Sequence, residues 1–99
     1  MTDPDTPDPD TVRLSAYVHG HVQGVGFRWW TRSRALEAGL VGYASNQPDG
    51  RVLVVAEGSR AAADQLLTAL RSGETPGRVD VVVERFDPPR GDLTGFAER

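Results

Sequence analysis

Nine residues, GHVQGVGFR from Gly20 to Arg28, have the types and spacing to do chemistry. Gly20, Gly24 and Gly26 leave little Cβ bulk, so the backbone can bend sharply and approach a bound group closely. An alternating run precedes them and a helical pattern starts at Phe27, so the stretch reads as a loop that opens a helix. Free N–H groups at such a start converge on one point, and the positive end of the helix dipole faces it; together they make a cradle for an anion. Arg28, one residue into the helix, brings a planar fork of donors to the same point. The chemistry is the holding of a phosphate or a carboxylate. A tight connection without a ligand, with Arg28 as an ordinary surface arginine, is the plainer use of these residues; the arginine beside the glycines tips the reading toward an anion.

Other chemistries fit poorly. Gly24-Val25-Gly26-Phe27-Arg28-Trp29 puts tryptophan where a dinucleotide fingerprint needs its third glycine, and the chain has no lysine for a Walker loop. His19 and His21 sit two apart with no further ligands nearby, so no metal site is expected. Asp8 and Asp10 match the spacing of the aspartate-nucleophile phosphatases, but that motif follows a buried strand, and here a Pro-rich stretch precedes it.

Composition narrows the classes further. Residues 1–11, MTDPDTPDPDT, hold four Asp and three Pro and have no apolar residue after Met1, so they are expected to form a disordered tail. Residues 12–99 are expected to fold as one domain with a modest core. The formal charge is −3, but without the four tail aspartates the body has eleven arginines against ten acids. A near-neutral body argues against broad nucleic-acid binding and leaves room for one local anion site. The absence of cysteine excludes disulfides, thiolate metal sites and cysteine nucleophiles. No apolar run reaches membrane-spanning length and no targeting segment is evident, which makes a cytoplasmic monomer the expectation.

The elements that must position the loop follow from periodicity. Val12 to His19 alternates as a half-buried strand, with Val12, Leu14, Ala16 and Val18 on one face. A helix is expected from Phe27 to Ala38, with Phe27, Trp30, Thr31, Ala35 and Ala38 on its core stripe and Gly39 closing it. Trp29 and Leu36 fall off that stripe as a partly exposed apolar pair. Val41–Gln47 and Arg51–Glu57 read as strands joined through the Pro48-Asp49-Gly50 turn. Ser59 is placed to cap a second helix carrying Ala63, Leu66, Leu67 and Leu70. Val79–Phe86 is a fourth strand, and Thr94–Glu98 a short fifth at an edge. Strand, helix, strand, strand, helix, strand is the order of the α+β, ferredoxin-like split βαβ sandwich: an antiparallel sheet of four to five strands with both helices on one face. In that arrangement the first and second strands run the same way, so the loop and Asn46 end at one edge of the sheet.

With the loop and its neighbours in view, the sequence resembles the acylphosphatase family. VHGHVQGVGFR, then Thr31 and Ala35, GLVGYASN, PDGRV and Gly95-Phe96 follow the family's pattern with matching spacing from Leu14 to Phe96. The resemblance implies hydrolysis of acyl phosphates to a carboxylate and inorganic phosphate. It implies that Arg28 binds the phosphate, that Asn46 orients the attacking water, and that Gly20, His21, Val22, Gln23, Gly24, Val25, Gly26 and Phe27 form the phosphate loop. Three positions depart from the pattern: Ala44 for the usual Val, Gln47 where many members have Thr, and Ala38 for a larger apolar residue.

Elementary chemistry points the same way. The carboxylate of an acyl phosphate is already a good leaving group, so catalysis reduces to positioning and charge stabilisation, with no cofactor required. The expected partners are a small acyl phosphate and inorganic phosphate, not nucleic acid or membrane. Two other classes stay open at this point. One is a module that binds an anion or a protein without turnover. The other is a single-strand nucleic-acid binder, which would want exposed aromatics on the central strands.

Overall fold

Alternation in the first strand decides which side of the sheet is covered. In the computed structural model, which describes residues 10–99, β1 (Thr11–His21) buries Leu14, Ala16 and Val18 completely and turns Ser15 and Tyr17 to the other side. It is followed by α1 (Phe27–Glu37), β2 (Val41–Asn46), β3 (Val52–Ser59), α2 (Arg60–Leu70), β4 (Arg78–Asp87) and β5 (Phe96–Glu98). Val52, Val54 and Ala56 of β3 and Ala44 of β2 extend the apolar face. Phe27, Thr31 and Ala35 of α1 and Ala63, Leu66 and Leu70 of α2 pack onto it, so both helices lie on one side. Each large aliphatic side chain buried there contributes roughly 1.5–3 kcal/mol. This is the ferredoxin-like split βαβ sandwich that the order of elements predicts.

The helix ends follow their signals. Ser59 Oγ accepts from the Ala62 N–H at 3.1 Å and caps α2. The Gly39 N–H donates to Leu36 O and the Leu40 N–H to Ala35 O, which closes α1 and takes up two carbonyls the helix leaves unpaired. Thr11 already belongs to β1 and Asp10 O accepts from the Arg60 N–H, so the folded body starts just before Val12. The rest of the expected tail, residues 1–9, lies outside the described residues.

The sheet order is β4-β1-β3-β2-β5. β1 pairs antiparallel with β3 and β4, and β2 antiparallel with β3. β5 corrects the expectation of a wholly antiparallel sheet: it runs parallel to β2, with Gly42 opposite Phe96. The reason is the path of the chain. β4 ends at the bottom of one edge, the segment 88–95 crosses to the other edge at that same end, and the chain then has only the upward direction, which is that of β2. Glu57 holds this crossing. Its carboxylate accepts from the main-chain N–H groups of Arg90 and Gly91, both at 3.1 Å, and from Arg13 Nη1 at 2.6 Å. Burial alone would push the Glu57 carboxyl up; the two N–H groups and the Arg13 guanidinium outweigh it and hold the group below its ordinary value.

Candidate active site

Register brings the pieces of the site to one end of the sheet. Val18 of β1 faces Val52 of β3, and Val52 faces Asn46 of β2, so the three form one row. The chain leaves β1 just above that row and Asn46 ends β2 within it. One strand separates them, a gap of about 10 Å at the usual strand spacing.

The first two residues of the expected phosphate loop belong to β1. After a shift in register between His19 and Gly20, Gly20 pairs with Val79 and His21 with Arg78. A Cβ on Gly20 would come within 2.0 Å of Arg78 O, so that glycine is needed for close approach to β4. The loop itself runs over residues 22–26. Val22 and Phe27, each 1% exposed, anchor its two ends in the core. Between them Gly24 (φ 74°) and Gly26 (φ 84°) take left-handed conformations that a side chain would strain. Gly26 O accepts the first helical bond, from Trp30. The N–H groups of Phe27, Arg28 and Trp29 come ahead of that bond and have no acceptor within the helix.

Gln23 bridges the gap between the strands. Its Nε2 donates to Gln47 O at 2.8 Å and Arg51 O at 3.0 Å, the two oxygens that close the β2–β3 turn. Arg28 reaches in the other direction: its Nη1 donates to the main-chain oxygen of Arg99 at 2.8 Å. The Asn46 N–H donates to the same oxygen at 2.9 Å, and the Arg99 N–H donates to Ala44 O. Arg28 and Asn46, eighteen residues apart in the chain, thus share one acceptor. The pleat puts Asn46 on the side of Gly42 and Ala44, the side the helices cover. Its Oδ1 is buried and has no hydrogen-bond partner, an acceptor held out of the protein's own network.

Charge is unevenly settled around this end. Arg13, Arg34, Arg51, Arg60, Arg71, Arg78 and Arg85 are each ion-paired to a carboxylate. Among the described residues Arg28, Arg32, Arg90 and Arg99 form no ion pair, and three of these four lie where α1 meets β5. Arg32 Nε donates to Phe96 O at 3.1 Å, beside the Arg28 contact. Of these four, Arg28 is the one that stands at the start of α1 directly after the loop, while the Arg99 guanidinium stacks over Tyr43 on the other face of the sheet.

Other candidates sort themselves by place. Among the described residues no group of three or more His, Cys, Asp or Glu is arranged to hold a metal ion. No described helix is long and apolar enough to cross a membrane. Trp29 is 61% exposed, and Leu36 is also exposed, as their place off the core stripe implies. Tyr17 and Tyr43 do lie on the uncovered sheet face, but Arg51 stacks over Tyr17 at 4.4 Å and Arg99 over Tyr43 at 3.9 Å. Ala38 lines a surface groove between the helices with Ala61 and Ala69, which is what a small residue in its place leaves. Gln47 turns its amide back to Ser45, and its main chain closes the turn. Periodicity did not single out the Arg99 oxygen, which lies 71 residues from Arg28, or the reach of Gln23 across β3; neither carries a local signal.

A family model of acylphosphatase matches residues 14–98, from within β1 to the end of β5. The chain belongs to the acylphosphatase family. It is 73% identical to the acylphosphatase of Nocardia farcinica over 90 residues, 91% of this chain and 90% of that one. It is 72% identical to the acylphosphatase of Rhodococcus jostii over 87 residues, 88% of this chain and 98% of that one. Its fold is similar to the crystal structure of the acylphosphatase from Bacillus subtilis, with a TM-score of 0.83 at 27% identity, over 89% of this chain and 98% of that one. The family match spans both elements of the candidate site, the loop into α1 and the end of β2.

Proposed function

We propose that this protein is an acylphosphatase that hydrolyses the carboxyl–phosphate bond of small acyl phosphates by direct attack of water, with no metal. The observation that carries the reading is the convergence of Arg28 and Asn46 on one oxygen beside a left-handed glycine loop. The loop N–H groups and the Arg28 fork bind the phosphoryl oxygens, and the N-terminal end of α1 favours their charge. The buried Asn46 Oδ1 accepts from a water molecule and holds it in line with the scissile bond. The water oxygen bonds to phosphorus as the bond to the acyl oxygen breaks. The carboxylate leaves with its electron pair, and a proton of the water passes to a phosphoryl oxygen of the substrate itself. No protein group has to act as acid, because the leaving carboxylate is weakly basic.

The test is hydrolysis of benzoyl phosphate by the purified chain. Turnover is expected to survive a chelator and to gain nothing from added magnesium; activity lost in chelator and restored by one metal would overturn the metal-free reading. Asn46→Ala is expected to keep its fold, bind inorganic phosphate nearly as well as wild type, and lose turnover on the order of 100-fold or more, as removal of one well-placed catalytic hydrogen bond does. Normal turnover per folded molecule would exclude the water-orienting role.

A further inference from the structure

We infer that Gln23 is a positioning residue for this reaction: its side-chain amide clasps the phosphate loop to the turn that follows Asn46 and so fixes the distance between bound phosphate and attacking water. The inference rests on the function proposed above and adds a residue that acts on the reacting atoms only through others.

The need for a clasp comes from topology. The loop continues β1, Asn46 ends β2, and β3 lies between them in the sheet. Nothing in the strand ladder ties the loop to β2, because β1 and β2 share no bonds. Val22 and Phe27 pin the ends of the loop in the core and Val25 packs against it, but Gly24 and Gly26 are exposed and none of these contacts reaches β2. An untied loop of this kind could bind phosphate yet hold it at a variable distance from Asn46.

Gln23 removes that freedom with two bonds. Gln47 O and Arg51 O are already acceptors within the turn, from the Gly50 and Gln47 N–H groups, and each has a second lone pair for the Gln23 amide. Two carbonyl oxygens as neighbours also fix which way the amide faces: only its nitrogen can point at both. Gln47 is bonded directly to Asn46 in the chain, so a shift of the turn moves Asn46 with it. The bonds thus work on a geometry in which a misplacement of about 1 Å can cost on the order of 100-fold in rate.

The bonds of the Gln23 side-chain amide end on the turn and not at the phosphate position, and this separates it from Arg28. Two variants test the clasp. Gln23→Met keeps length and removes both donors. Gln23→Glu keeps shape and sets a carboxylate against two carbonyl oxygens. Each is expected to lower kcat for benzoyl phosphate roughly ten- to a hundredfold, while inhibition by inorganic phosphate changes less than about threefold, because the loop and Arg28 still bind it. If Gln23 acts through Asn46, Gln23→Met combined with Asn46→Ala has a kcat no lower than Asn46→Ala alone.

Wild-type kcat per folded molecule in both variants would overturn the inference, as would phosphate inhibition weakened as much as kcat or losses that multiply in the double variant. If the wild-type chain fails to hydrolyse benzoyl phosphate, the proposed function falls and this role falls with it. If the wild type turns over and the Gln23 variants do so equally well, only the positioning role falls.

Discussion

Arg28 is the side chain on which the proposed binding of phosphate rests most heavily. Its guanidinium is ion-paired to no carboxylate among the described residues, and one of its donors is used on the Arg99 oxygen, which holds the plane of the fork in place. A lysine would keep the charge and lose that plane. Arg28→Lys is therefore expected to lose most turnover, and Arg28→Ala to lose competitive inhibition by inorganic phosphate as well; equal inhibition of Arg28→Ala and wild type, measured against benzoyl phosphate, would remove Arg28 from the binding role. Thr31 gives the opposite case. Its side chain is fully buried on α1 and its Oγ1 has no partner, so the hydroxyl is desolvated without return. Thr31→Val is expected to leave the urea midpoint unchanged or raise it, by up to about 1–2 kcal/mol of stability. A loss of more than about 1 kcal/mol would mean that the hydroxyl is bonded in solution.

At the scale of elements, legibility followed the range of the interaction. α1 and α2 were readable because their stripes repeat locally and their caps, Ser59 and Gly39, are single residues at fixed places. The loop was readable because its glycines, Gly24 and Gly26, lie close together in sequence just before the helix. Where the loop begins was less so: Gly20 looks like a member of the cradle, yet it lacks a side chain because Arg78 O, 58 residues away, occupies the place a Cβ would take. The direction of β5 was hidden for the same reason, since three residues of strand carry no mark of which neighbour they will pair with. Caps, by contrast, can be tested one at a time. Ser59→Ala removes the bond to the Ala62 N–H and is expected to cost about 1 kcal/mol, or about 4–8 °C in Tm for a domain of this size. No change in Tm would mean that water satisfies the start of α2 equally well.

Across the whole molecule, the buried Glu57 cluster and the candidate site sit at opposite ends of one sheet. The bottom is closed by Glu57, Arg13 and the N–H groups of Arg90 and Gly91, and the top carries the loop, Arg28 and Asn46. Because the folded Glu57 carboxyl is held below its ordinary value, its contribution to stability is complete above about pH 4.3 and disappears as pH falls through the folded value. Glu57→Gln is expected to flatten this acid limb when Tm is followed from pH 7 down to about 3; an unchanged slope would assign the limb to other carboxylates. Arg13→Met leaves a buried carboxylate with two N–H partners only and is expected to cost about 3 kcal/mol or more. The bond from Arg28 to the Arg99 oxygen has a further consequence, in time. On the ribosome, at roughly 5–20 residues per second, residue 99 follows residue 28 by on the order of 4–14 s. The rest of α1, then β2, β3, α2 and β4 are made during that interval, but Arg28 lacks this anchor until β5 docks. On the role proposed for Arg28, binding competence waits on the docking of β5, and a nascent chain stalled before β5 is expected to lack it.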